Sequence, residues 1–405
     1  MARSKKGKGR NQKKSNNKKG KGGNVFIPKF HTNQKTRIGG RYSGVLEINQ
    51  KGYGFIRKLD FEFSDSKSDP FLKPDEVRHH DLRSGLILEG EFEEDQSGNR
   101  HVHSIEKVNG NPSEFWQKIN RFELQTPIMP VEQIKLGHNA EDHELRVMDL
   151  ISPVGRGQRA LIVAPPRTGK TVLLKKIARS ITDNYDDIST AILLVDERPE
   201  EVTDFIRSTQ DEVCASSNDK PTESHVRISE MALGYVKRKA ECGQDAVLLI
   251  DSLTRLGRAY NAAQSNSGRT LSGGLDIRAL EIPKKIFGAA RKIEGGGSLT
   301  IIATCLVETN SRMDDLIFEE FKGTGNLELV LDRELANDRI YPAINIAASG
   351  TRNEDKFITD SLEERNMVRR FLLKKSPKES MQMLLKVIER TESNEELFAQ
   401  IAATI

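Results

Sequence analysis

An apolar segment that runs directly into a glycine-lysine-threonine loop and then a helix constrains this chain more than any other feature. Residues 160–164 are apolar, residues 164–171 read Ala-Pro-Pro-Arg-Thr-Gly-Lys-Thr, and an amphipathic helix is predicted to begin near Thr171. In such a loop, backbone N–H groups and the helix N-terminus bind phosphates, the lysine contacts the β and γ oxygens, and the hydroxyl ligates Mg²⁺. The motif normally starts with glycine, where this chain has Ala164. The remainder is intact, and we predict a nucleotide triphosphate site.

Apolar strands and amphipathic helices alternate from Leu145 onward. The predicted strands have similar lengths and lie at 159–164, 191–196, 246–251, 299–306 and 326–331. One predicted helix begins near Thr171, and another carries apolar side chains from Ile228 to Val236. This alternation is typical of a parallel β-sheet covered by helices on both faces. The C-terminal part of the chain is therefore predicted to be an α/β domain.

Two of the predicted strands end in acidic residues, which phosphoryl transfer requires beside a phosphate-binding loop. One apolar run ends in Asp251, the Walker B arrangement that directs a carboxylate to the metal, and another ends in Asp196-Glu197-Arg198. Glu197 is the candidate general base for the attacking water. Acids at strand ends can also be simple helix caps. Because ligands gather at the carboxyl edge of a parallel sheet, the catalytic interpretation is favoured here.

Three further segments leave two interpretations open. Residues 155–159, just before the first strand, either contact phosphate or only turn the chain. The loops at 269–276 and 309–313 present basic and hydroxyl groups with too little apolar content to be buried. They are either mobile loops that act on a ligand or ordinary surface loops.

Residues 41–108 have a different residue pattern, with short strands predicted at 42–48, 54–59, 86–92 and 100–108. Turn-forming residues such as Gln96-Ser97-Gly98-Asn99 separate them. This spacing predicts a small all-β barrel. Residues 109–140, which contain three prolines and one helical pattern at 113–122, are interpreted as a connector.

The segment Lys51-Gly52-Tyr53-Gly54-Phe55-Ile56-Arg57 lies inside the predicted barrel. Tyr53, Phe55 and Arg57 alternate onto one face of a strand. Bases stack on aromatic rings, and a neighbouring arginine can meet phosphate or a base edge. The rings can instead belong to the barrel core, but a core strand seldom places arginine among its rings. Further aromatic and basic side chains follow, namely Phe71, Lys73 and Arg78.

The net charge of +4 is unevenly distributed. Residues 1–41 contain 14 Lys or Arg and no acidic residue, which leaves 49 basic against 59 acidic residues in the remainder. Residues 1–23 have almost nothing to bury, so burial cannot offset the entropy of ordering, and we predict a disordered arm. Such an arm attracts phosphates without reading sequence. It can also be a solubilising tail.

Composition excludes several classes of protein. No apolar run approaches the roughly 18 residues of a membrane span, and the basic N-terminus lacks the apolar stretch of a signal peptide. Cys214, Cys242 and Cys305 form no paired spacing, so neither a disulfide framework nor a zinc site is indicated. We expect a cytoplasmic protein.

Five motifs, in the same order along the chain, resemble the bacterial transcription termination factor Rho family. The matching segments lie at 51–57, 163–171, 196–201, 249–255 and 318–326. The resemblance covers roughly residues 41 to 400, and several ordered motifs are far more specific than one phosphate loop. It implies an α/β chain with an N-terminal OB-fold (cold-shock-like) β-barrel followed by a RecA-like P-loop ATPase domain with a parallel sheet.

The residue patterns and the resemblance together predict a domain division. The expected segments are a disordered basic arm at 1–40, an OB-fold RNA-binding domain at 41–108, a connector at 109–144, and a RecA-like ATPase and translocase domain at 145–405.

The family consists of ring-shaped hexameric, RNA-dependent ATPases and helicases that translocate 5′ to 3′ and release transcripts from RNA polymerase. The resemblance therefore implies ATP and Mg²⁺ as cofactors. The implied partners are single-stranded RNA, further copies of the chain and the RNA polymerase elongation complex. Two alternatives stay open: an RNA-binding protein whose nucleotide site does not hydrolyse ATP, and another RecA-like motor such as a DNA recombinase or a rotary ATPase subunit.

The resemblance carries roles over to individual residues. The implied catalytic residues are Lys170, Glu197, Asp251, Arg339 and Arg352, the two last being presented by a neighbouring protomer. The implied metal ligands are Thr171 and Asp251. The implied ATP-binding residues are Gly155, Arg156, Gly157, Gln158, Arg159, Ala160, Arg167, Thr168, Gly169, Lys170, Thr171, Val172, Arg198 and the adenine-stacking Tyr341.

Two RNA sites are implied. The primary site comprises Gly52, Tyr53, Gly54, Phe55, Ile56, Arg57, Asp69, Pro70, Phe71, Asn99, Arg100 and His101. The secondary site, in the central channel, comprises Thr270, Leu271, Ser272, Gly273, Gly274, Leu275, Asp276 and Arg312. His101 and Phe71 stand at positions where the family has tyrosine, which leaves the usual pyrimidine preference open. The basic arm stands in place of the helical subdomain that commonly precedes the barrel.

Overall fold

The structure, a computed structural model, describes residues 37–60, 62–264, 274–358 and 361–402. Most of the predicted basic arm and residues 270–273 of the predicted secondary RNA site lie outside the described residues. None of the helices in the described ranges has the length and apolar character needed to cross a membrane.

The N-terminal domain is a small β-barrel. Its elements are β1 (Arg37–Ile48), β2 (Gly54–Arg57), β3 (Phe71–Leu72), α1 (Pro74–His79), β4 (Ile87–Glu94), β5 (Arg100–Val102), β6 (Lys107–Val108) and β7 (Asn111–Pro112). Pairings run from β1 through β2, β3, β5 and β4 back to β1, which closes the barrel. Closure satisfies the backbone of each of these five strands on both sides. The predicted barrel is confirmed.

Strand β1 begins at Arg37, earlier than the predicted strand start at 42 and within the predicted arm. It pairs with β4 from Arg37 opposite Glu94, with a bulge between Ile38 and Gly40. Two consecutive glycines, Gly39 and Gly40, disfavour a strand by their composition, but a bulge accommodates them. The backbone pairing with β4 therefore extends the strand to Arg37 despite the two glycines.

The connector contains α2 (Ser113–Trp116), a short 3₁₀ turn (Phe122–Leu124), β8 (Pro127–Ile128) and β9 (Gln133–Ile134). The helix predicted over 113–122 is wrong in its length. Trp116 packs in the barrel core and Phe122 packs in the core of the C-terminal domain. Because these two buried rings belong to different cores, the chain between them runs from one core to the other instead of continuing a helix.

The C-terminal domain alternates strands and helices. Its first half comprises α3 (His143–Ile151), β10 (Val154–Gly155), β11 (Arg159–Ala164), α4 (Lys170–Asn184), β12 (Ile188–Glu197), α5 (Pro199–Ser208), β13 (Glu212–Ser217), α6 (Thr222–Glu241), β14 (Asp245–Asp251) and α7 (Leu253–Gln264). Its second half comprises α8 (Glu281–Phe287), β15 (Arg291–Ile293), β16 (Ser298–Leu306), α9 (Arg312–Lys322), β17 (Leu327–Val330), α10 (Arg333–Asn337), β18 (Gly350–Thr351), α11 (Leu362–Leu372), α12 (Pro377–Ile388) and α13 (Asn394–Ala402).

The main sheet has the order β13-β12-β14-β16-β11-β17-β18 and is parallel from β13 to β17. An apolar core covers each face of it. The five predicted strands are confirmed, whereas β13 was not predicted. Its Glu212, Ser216 and Ser217 give it a polar composition, so hydrophobic patterning does not reveal it.

Candidate functional site

The phosphate loop connects the carboxyl end of β11 to the first turn of α4. Gly169, the last loop residue, has a φ of +90°, a conformation that disfavours residues with a Cβ. The Thr168 hydroxyl donates to the Pro165 carbonyl at 2.8 Å and closes the turn. Helix α4 begins at Lys170, so its first backbone N–H groups, which lack partners within the helix, lie at the loop. This is the strand-loop-helix context that the motif requires.

Two buried carboxylates meet the loop lysine. Glu197 ends β12 and Asp251 ends β14, and these strands are neighbours in the sheet. The Lys170 ammonium forms an ion pair with Asp251 and lies 4.0 Å from Oε1 of Glu197. The sheet order therefore gathers three of the predicted catalytic residues at one edge, and we call Glu197 and Asp251 the carboxylate pair.

Two further side chains hold the carboxylate pair, and the sequence analysis assigned neither of them a role. Thr304 on β16 donates its hydroxyl to Oδ1 of Asp251 at 2.8 Å. The Arg255 Nε lies 3.0 Å from Oε1 of Glu197. Thr304 interrupts the apolar run of β16 near its carboxyl end, and Arg255 follows Asp251 by about one helical turn. These positions are the sequence signals that could have indicated a role for each.

The electrostatics of Glu197 suit proton transfer. Burial raises the pKa of the Glu197 carboxyl to about 8, and the neighbouring Asp251 carboxylate acts in the same direction. The cationic Lys170 and Arg255 oppose this rise. A carboxyl group whose pKa lies near the working pH is well matched to general base catalysis.

A largely apolar cleft of about 440 Å³ opens beside the phosphate loop. Tyr341 lines it and is 43% exposed, and Val172, Leu173 and Ala343 form other parts of its wall. A flat aromatic ring in an apolar cleft suits a nucleobase. Tyr341 thus lies next to the loop, as the prediction for it requires.

Arg198, Arg339 and Arg352 are exposed. Arg198 caps the start of α5, directly after Glu197, and lies 3.7 Å from Glu201. Arg339 lies in the turn after α10, two residues before Tyr341, and Arg352 follows β18 at the edge of the sheet. In the described part of the chain, no ion pair involves Arg339 or Arg352, so both guanidinium groups face solvent.

The structure does not bring residues 155–160 to the phosphate loop. Arg156 pairs with Asp187 and Asp245, which lie just before β12 and at the start of β14. The Arg159 Nε donates to the Thr324 carbonyl at 3.0 Å. These contacts lie at the amino edge of the sheet. Strand β11 has 6 residues, so at about 3.3 Å per residue this edge is about 20 Å from the carboxyl edge. Within this chain the segment turns into β11, and its contact with ATP stays a prediction.

Three strands of the barrel align aromatic side chains in one row. Phe55 on β2 pairs with Phe71 on β3, and Phe71 pairs with His101 on β5. Ile56 and Leu72, the residues after them, point into the barrel core, so Phe55 and Phe71 point outward. We call Tyr53, Phe55, Phe71 and His101 the aromatic face.

The rings of the aromatic face touch one another. Tyr53 and Phe71 have centroids 5.5 Å apart, Phe55 and Phe71 also 5.5 Å, and Phe71 and His101 6.0 Å. Tyr53 and Phe71 are only 7% and 2% exposed, whereas Phe55 is half-buried. Neither Tyr53 nor Phe71 belongs to the barrel core. The face is a ring cluster on the outside of the barrel, and Phe55 and His101 are its more accessible rings.

Charged and polar residues surround the aromatic face. The Arg57 guanidinium lies over the Phe55 ring, 4.9 Å from its centroid, and donates to Asp69 at 2.9 Å. Arg100 donates to the Ser68 carbonyl at 3.3 Å, and the backbone and side-chain N–H groups of Asn99 both donate to Asp95. The structure therefore brings the predicted residues from 52–57, 69–71 and 99–101 together.

The described part of the predicted secondary site lies between α7 and α9. Leu275 is buried, and the Asp276 backbone N–H donates to Asn261 of α7 at 2.8 Å. A Cβ on Gly274 would lie 3.8 Å from the Met313 methyl group, so the loop end neighbours the start of α9. Arg312, the first residue of α9, is exposed there. Gly274, Leu275, Asp276 and Arg312 thus lie in one region.

Two family models match successive parts of this chain. Residues 42–114 match the RNA-binding domain of Rho termination factor, and residues 144–351 match the nucleotide-binding domain of the ATP synthase alpha/beta family. The matches coincide with the barrel and with the domain that carries the phosphate loop. Fold, site and models together define a P-loop ATPase that carries an RNA-binding barrel.

Relatives are similar over nearly the whole chain. The transcription termination factor Rho of Neisseria gonorrhoeae is 45% identical over 88% of this chain and 86% of its own length. That of Aquifex aeolicus is 46% identical over 89% of this chain and 84% of its own length. The chain belongs to the transcription termination factor Rho family.

Solved structures at lower identity share the fold alone. An ATPase from the type III secretion system of pathogenic bacteria superposes with a TM-score of 0.57 at 22% identity, covering 67% of this chain and 85% of that one. The ATP synthase subunit NeqB gives a TM-score of 0.58 at 16% identity, covering 69% and 76%. The predicted α/β fold class is confirmed.

Proposed function

We propose that this chain is a transcription termination factor that works as an ATP-driven RNA translocase. In this proposal, copies of the chain assemble into a ring-shaped homohexamer, bind nascent RNA, move 5′ to 3′ and release transcripts from RNA polymerase. One observation carries it: an aromatic barrel face and a phosphate loop with its carboxylate pair occur in a single chain. The family membership supports the same function.

The triphosphate site supplies the groups that hydrolysis needs. Lys170 binds the β and γ phosphate oxygens, and the backbone N–H groups at the start of α4 hold the phosphates. Glu197 accepts a proton from the attacking water. Thr304 and Arg255 hold the carboxylate pair, which keeps the proton acceptor and the metal-binding carboxylate in fixed positions. Tyr341 stacks on the adenine.

Mg²⁺ fits the donor set at this edge of the sheet. Asp251 offers a carboxylate and Thr171 a hydroxyl, and Mg²⁺ in nucleotide sites prefers one or two protein oxygens together with phosphate and water. The ion neutralises charge on the β and γ phosphates when it is bound. Thr304 orients Asp251 toward this position through its 2.8 Å hydrogen bond.

Arg339 and Arg352 are proposed to act on the nucleotide of a neighbouring protomer. Their exposed guanidinium groups, without an ion pair in the described part of the chain, suit a contact across a subunit boundary. An arginine supplied in trans contributes about 10³- to 10⁵-fold to phosphoryl transfer in other systems. Such an arrangement makes hydrolysis depend on assembly of the ring.

The two RNA sites are proposed to have separate tasks. The aromatic face captures single-stranded RNA by stacking, with Phe55 as one of its accessible rings. The loop at 270–276 and Arg312 grip RNA in the central channel. Arg100, partly exposed near the face, attracts the phosphate backbone. Separate capture and grip allow a motor to hold RNA while it steps.

ATP turnover under three conditions tests the proposal. The rate is measured without nucleic acid, with cytidine-rich RNA and with single-stranded DNA, for the unaltered chain and for Lys170→Ala. We expect strong stimulation by RNA and loss of turnover in the variant, because no other group replaces the lysine on the γ-phosphate. Strand displacement on an RNA–DNA duplex with a 5′ RNA overhang then tests translocation.

Other outcomes point to other functions. A rate of ATP turnover that nucleic acid does not change favours a rotary ATPase. Stimulation by DNA alone favours a recombinase, and no turnover favours a non-hydrolytic RNA-binding protein. Each of these results contradicts the proposed translocase.

A further inference from the structure

A continuous series of contacts joins the ATPase domain to the aromatic face. Glu47 on β1 lies between two arginines, one from each domain. Its Oε2 lies 2.6 Å from Nε of Arg57, which stands over the Phe55 ring. Its Oε1 and Oε2 accept from Nε and Nη2 of Arg227 at 2.5 and 2.9 Å. Arg227 lies in the second turn of α6. Its Nη2 also donates to Oδ1 of Asp65 at 3.2 Å, and the same oxygen lies 3.4 Å from Nη2 of Arg57. Helix α6 therefore contacts the face through two carboxylates, of which Glu47 is the more buried.

This series of contacts is more buried than an ordinary surface ion pair. The side chains of Arg57 and Glu47 are 13% and 17% exposed. Arg57 is also held on its other side by Asp69, which accepts in turn from the Ser66 backbone N–H at 2.9 Å. Burial acts to raise the pKa of Glu47, but the two guanidinium groups outweigh it and hold that pKa below its ordinary value. Glu47 is therefore ionised at neutral pH, and hydrogen bonds fix Arg57 on two sides.

Arg227 also supports the loop that joins β2 to β3. Its Nη2 donates to the Phe63 carbonyl at 2.8 Å and its Nη1 to the Glu62 carbonyl at 3.3 Å. This loop leads to Asp69, the other partner of Arg57. The Arg227 guanidinium of the ATPase domain thus contacts Glu47, which is one partner of Arg57, and the loop that leads to Asp69, which is the other.

Gly85, whose backbone N–H donates to the Leu46 carbonyl of β1 at 2.9 Å, makes a close backbone contact with α6. A Cβ on Gly85, whose φ is +94°, would lie 2.1 Å from the carbonyl carbon of Gly234 in α6. Only glycine allows the barrel to approach the helix so closely. This contact holds Arg227 within reach of Glu47.

We propose that Arg227 is a positioning residue for RNA capture: through Glu47 it holds the Arg57 guanidinium over Phe55, so that the ATPase domain sets the geometry of the aromatic face. This inference rests on the proposed role of the face in RNA binding. Arg227 itself is proposed to contact no base, since its donors are engaged by Glu47, Asp65 and the loop carbonyls.

The test compares Arg227→Ala with Lys220→Ala in the full-length chain. Lys220 pairs with Glu62 at 2.8 Å, so it joins the same barrel loop to the same domain but does not contact Glu47. Both variants remove one positive charge near the face. The dissociation constant for a short, 5′-labelled oligocytidylate is measured by fluorescence anisotropy at fixed salt and without nucleotide. We expect about 5- to 10-fold weaker binding for Arg227→Ala and a change below about 2-fold for Lys220→Ala.

A double-mutant cycle separates positioning from a general loss of docking. If Arg227 acts through Arg57, Arg227→Ala has little further effect in an Arg57→Ala chain, because the group it positions is absent. Arg227→Lys, which places one ammonium near Glu47, restores part of the affinity. Thermal unfolding of every variant shows that each is folded at the assay temperature.

The outcomes distinguish this inference from the function on which it rests. Equal effects of Arg227→Ala and Lys220→Ala, or full additivity with Arg57→Ala, overturn the positioning role. If Phe55→Ala leaves the affinity for RNA unchanged, the proposed RNA site itself fails. A loss with Phe55→Ala but none with Arg227→Ala rejects the positioning role alone.

Discussion

The aromatic face takes two of its four rings from one seven-residue segment, whereas the triphosphate site takes Lys170, Glu197, Asp251 and Thr304 from four separate elements. The face needs only the alternation of a β-strand and two strand pairings. The triphosphate site needs the order of the whole parallel sheet. Local sequence therefore supplies half of the stacking surface, but a site for phosphoryl transfer depends on long-range topology.

The two regions also differ in what they bury. The carboxylate pair is almost fully buried, and charge is balanced inside the site by Lys170 and Arg255. The aromatic face keeps Phe55 accessible at the outside of the barrel. A buried ionic site responds strongly to the loss of one group, because its partner is left without compensation. A stacking surface responds in proportion to the ring that is removed.

The largest expected effect is that of Glu197→Gln. The amide retains the shape of the side chain but cannot accept the proton, so RNA-stimulated turnover falls about 10²- to 10⁴-fold. Measured in the same preparations, the affinity for short RNA stays within about 2-fold. A comparable loss of RNA affinity would show that the two regions are not separate.

Phe55→Ala should have the next largest effect, and on the other region. Loss of one stacked ring weakens capture of short single-stranded RNA by about 5- to 150-fold. Turnover at saturating RNA persists, because the second proposed RNA site, at 270–276 and Arg312, is unchanged. Phe115→Ala, which removes a partly exposed ring outside the face, is the matched control. Equal binding by Phe55→Ala and the unaltered chain rejects the stacking surface.

The pH dependence of turnover probes the buried site alone. Because the pKa of Glu197 is raised to about 8, its carboxyl is mostly protonated at pH 7 and gains base function as the pH rises. Turnover is expected to increase by up to about 10-fold between pH 7 and pH 9 and then to level off. The residual rate of Glu197→Gln should lack this rise. A rate that is flat over this range contradicts the assignment of Glu197 as base.

The smallest effect is expected for Thr304→Val, which preserves shape but removes the hydroxyl that donates to Asp251. We expect a decrease in turnover of about 3- to 10-fold, since one hydrogen bond to a charged group is lost. Thr304→Ser keeps the hydroxyl and should retain most of the rate. If the serine and valine variants are equally slow, packing and not the hydrogen bond explains the loss.

Local patterns predicted much of the C-terminal domain and part of the barrel. The five apolar strands were found because buried parallel strands are continuous apolar runs. Strand β13 was not predicted because its polar residues break the apolar pattern. The helix predicted at 113–122 was too long because Trp116 and Phe122 pack in two different cores. The position of residues 155–160 at the amino edge of the sheet could not be predicted, because proximity in sequence to the phosphate loop does not show which edge of the sheet a segment occupies.

The sequence by itself determined the elements and the chemistry: a strand-loop-helix that binds phosphate, strands that end in acids, and alternating rings on a short strand. These depend on near neighbours along the chain, whose geometry the backbone fixes. The tertiary structure alone decided that Thr304 and Arg255 hold the carboxylate pair, that Tyr53 and Phe71 are buried beneath an accessible Phe55, and that Arg227 reaches Arg57 through Glu47. Contacts between distant residues follow from strand order and domain docking, and these are set by packing of the whole chain.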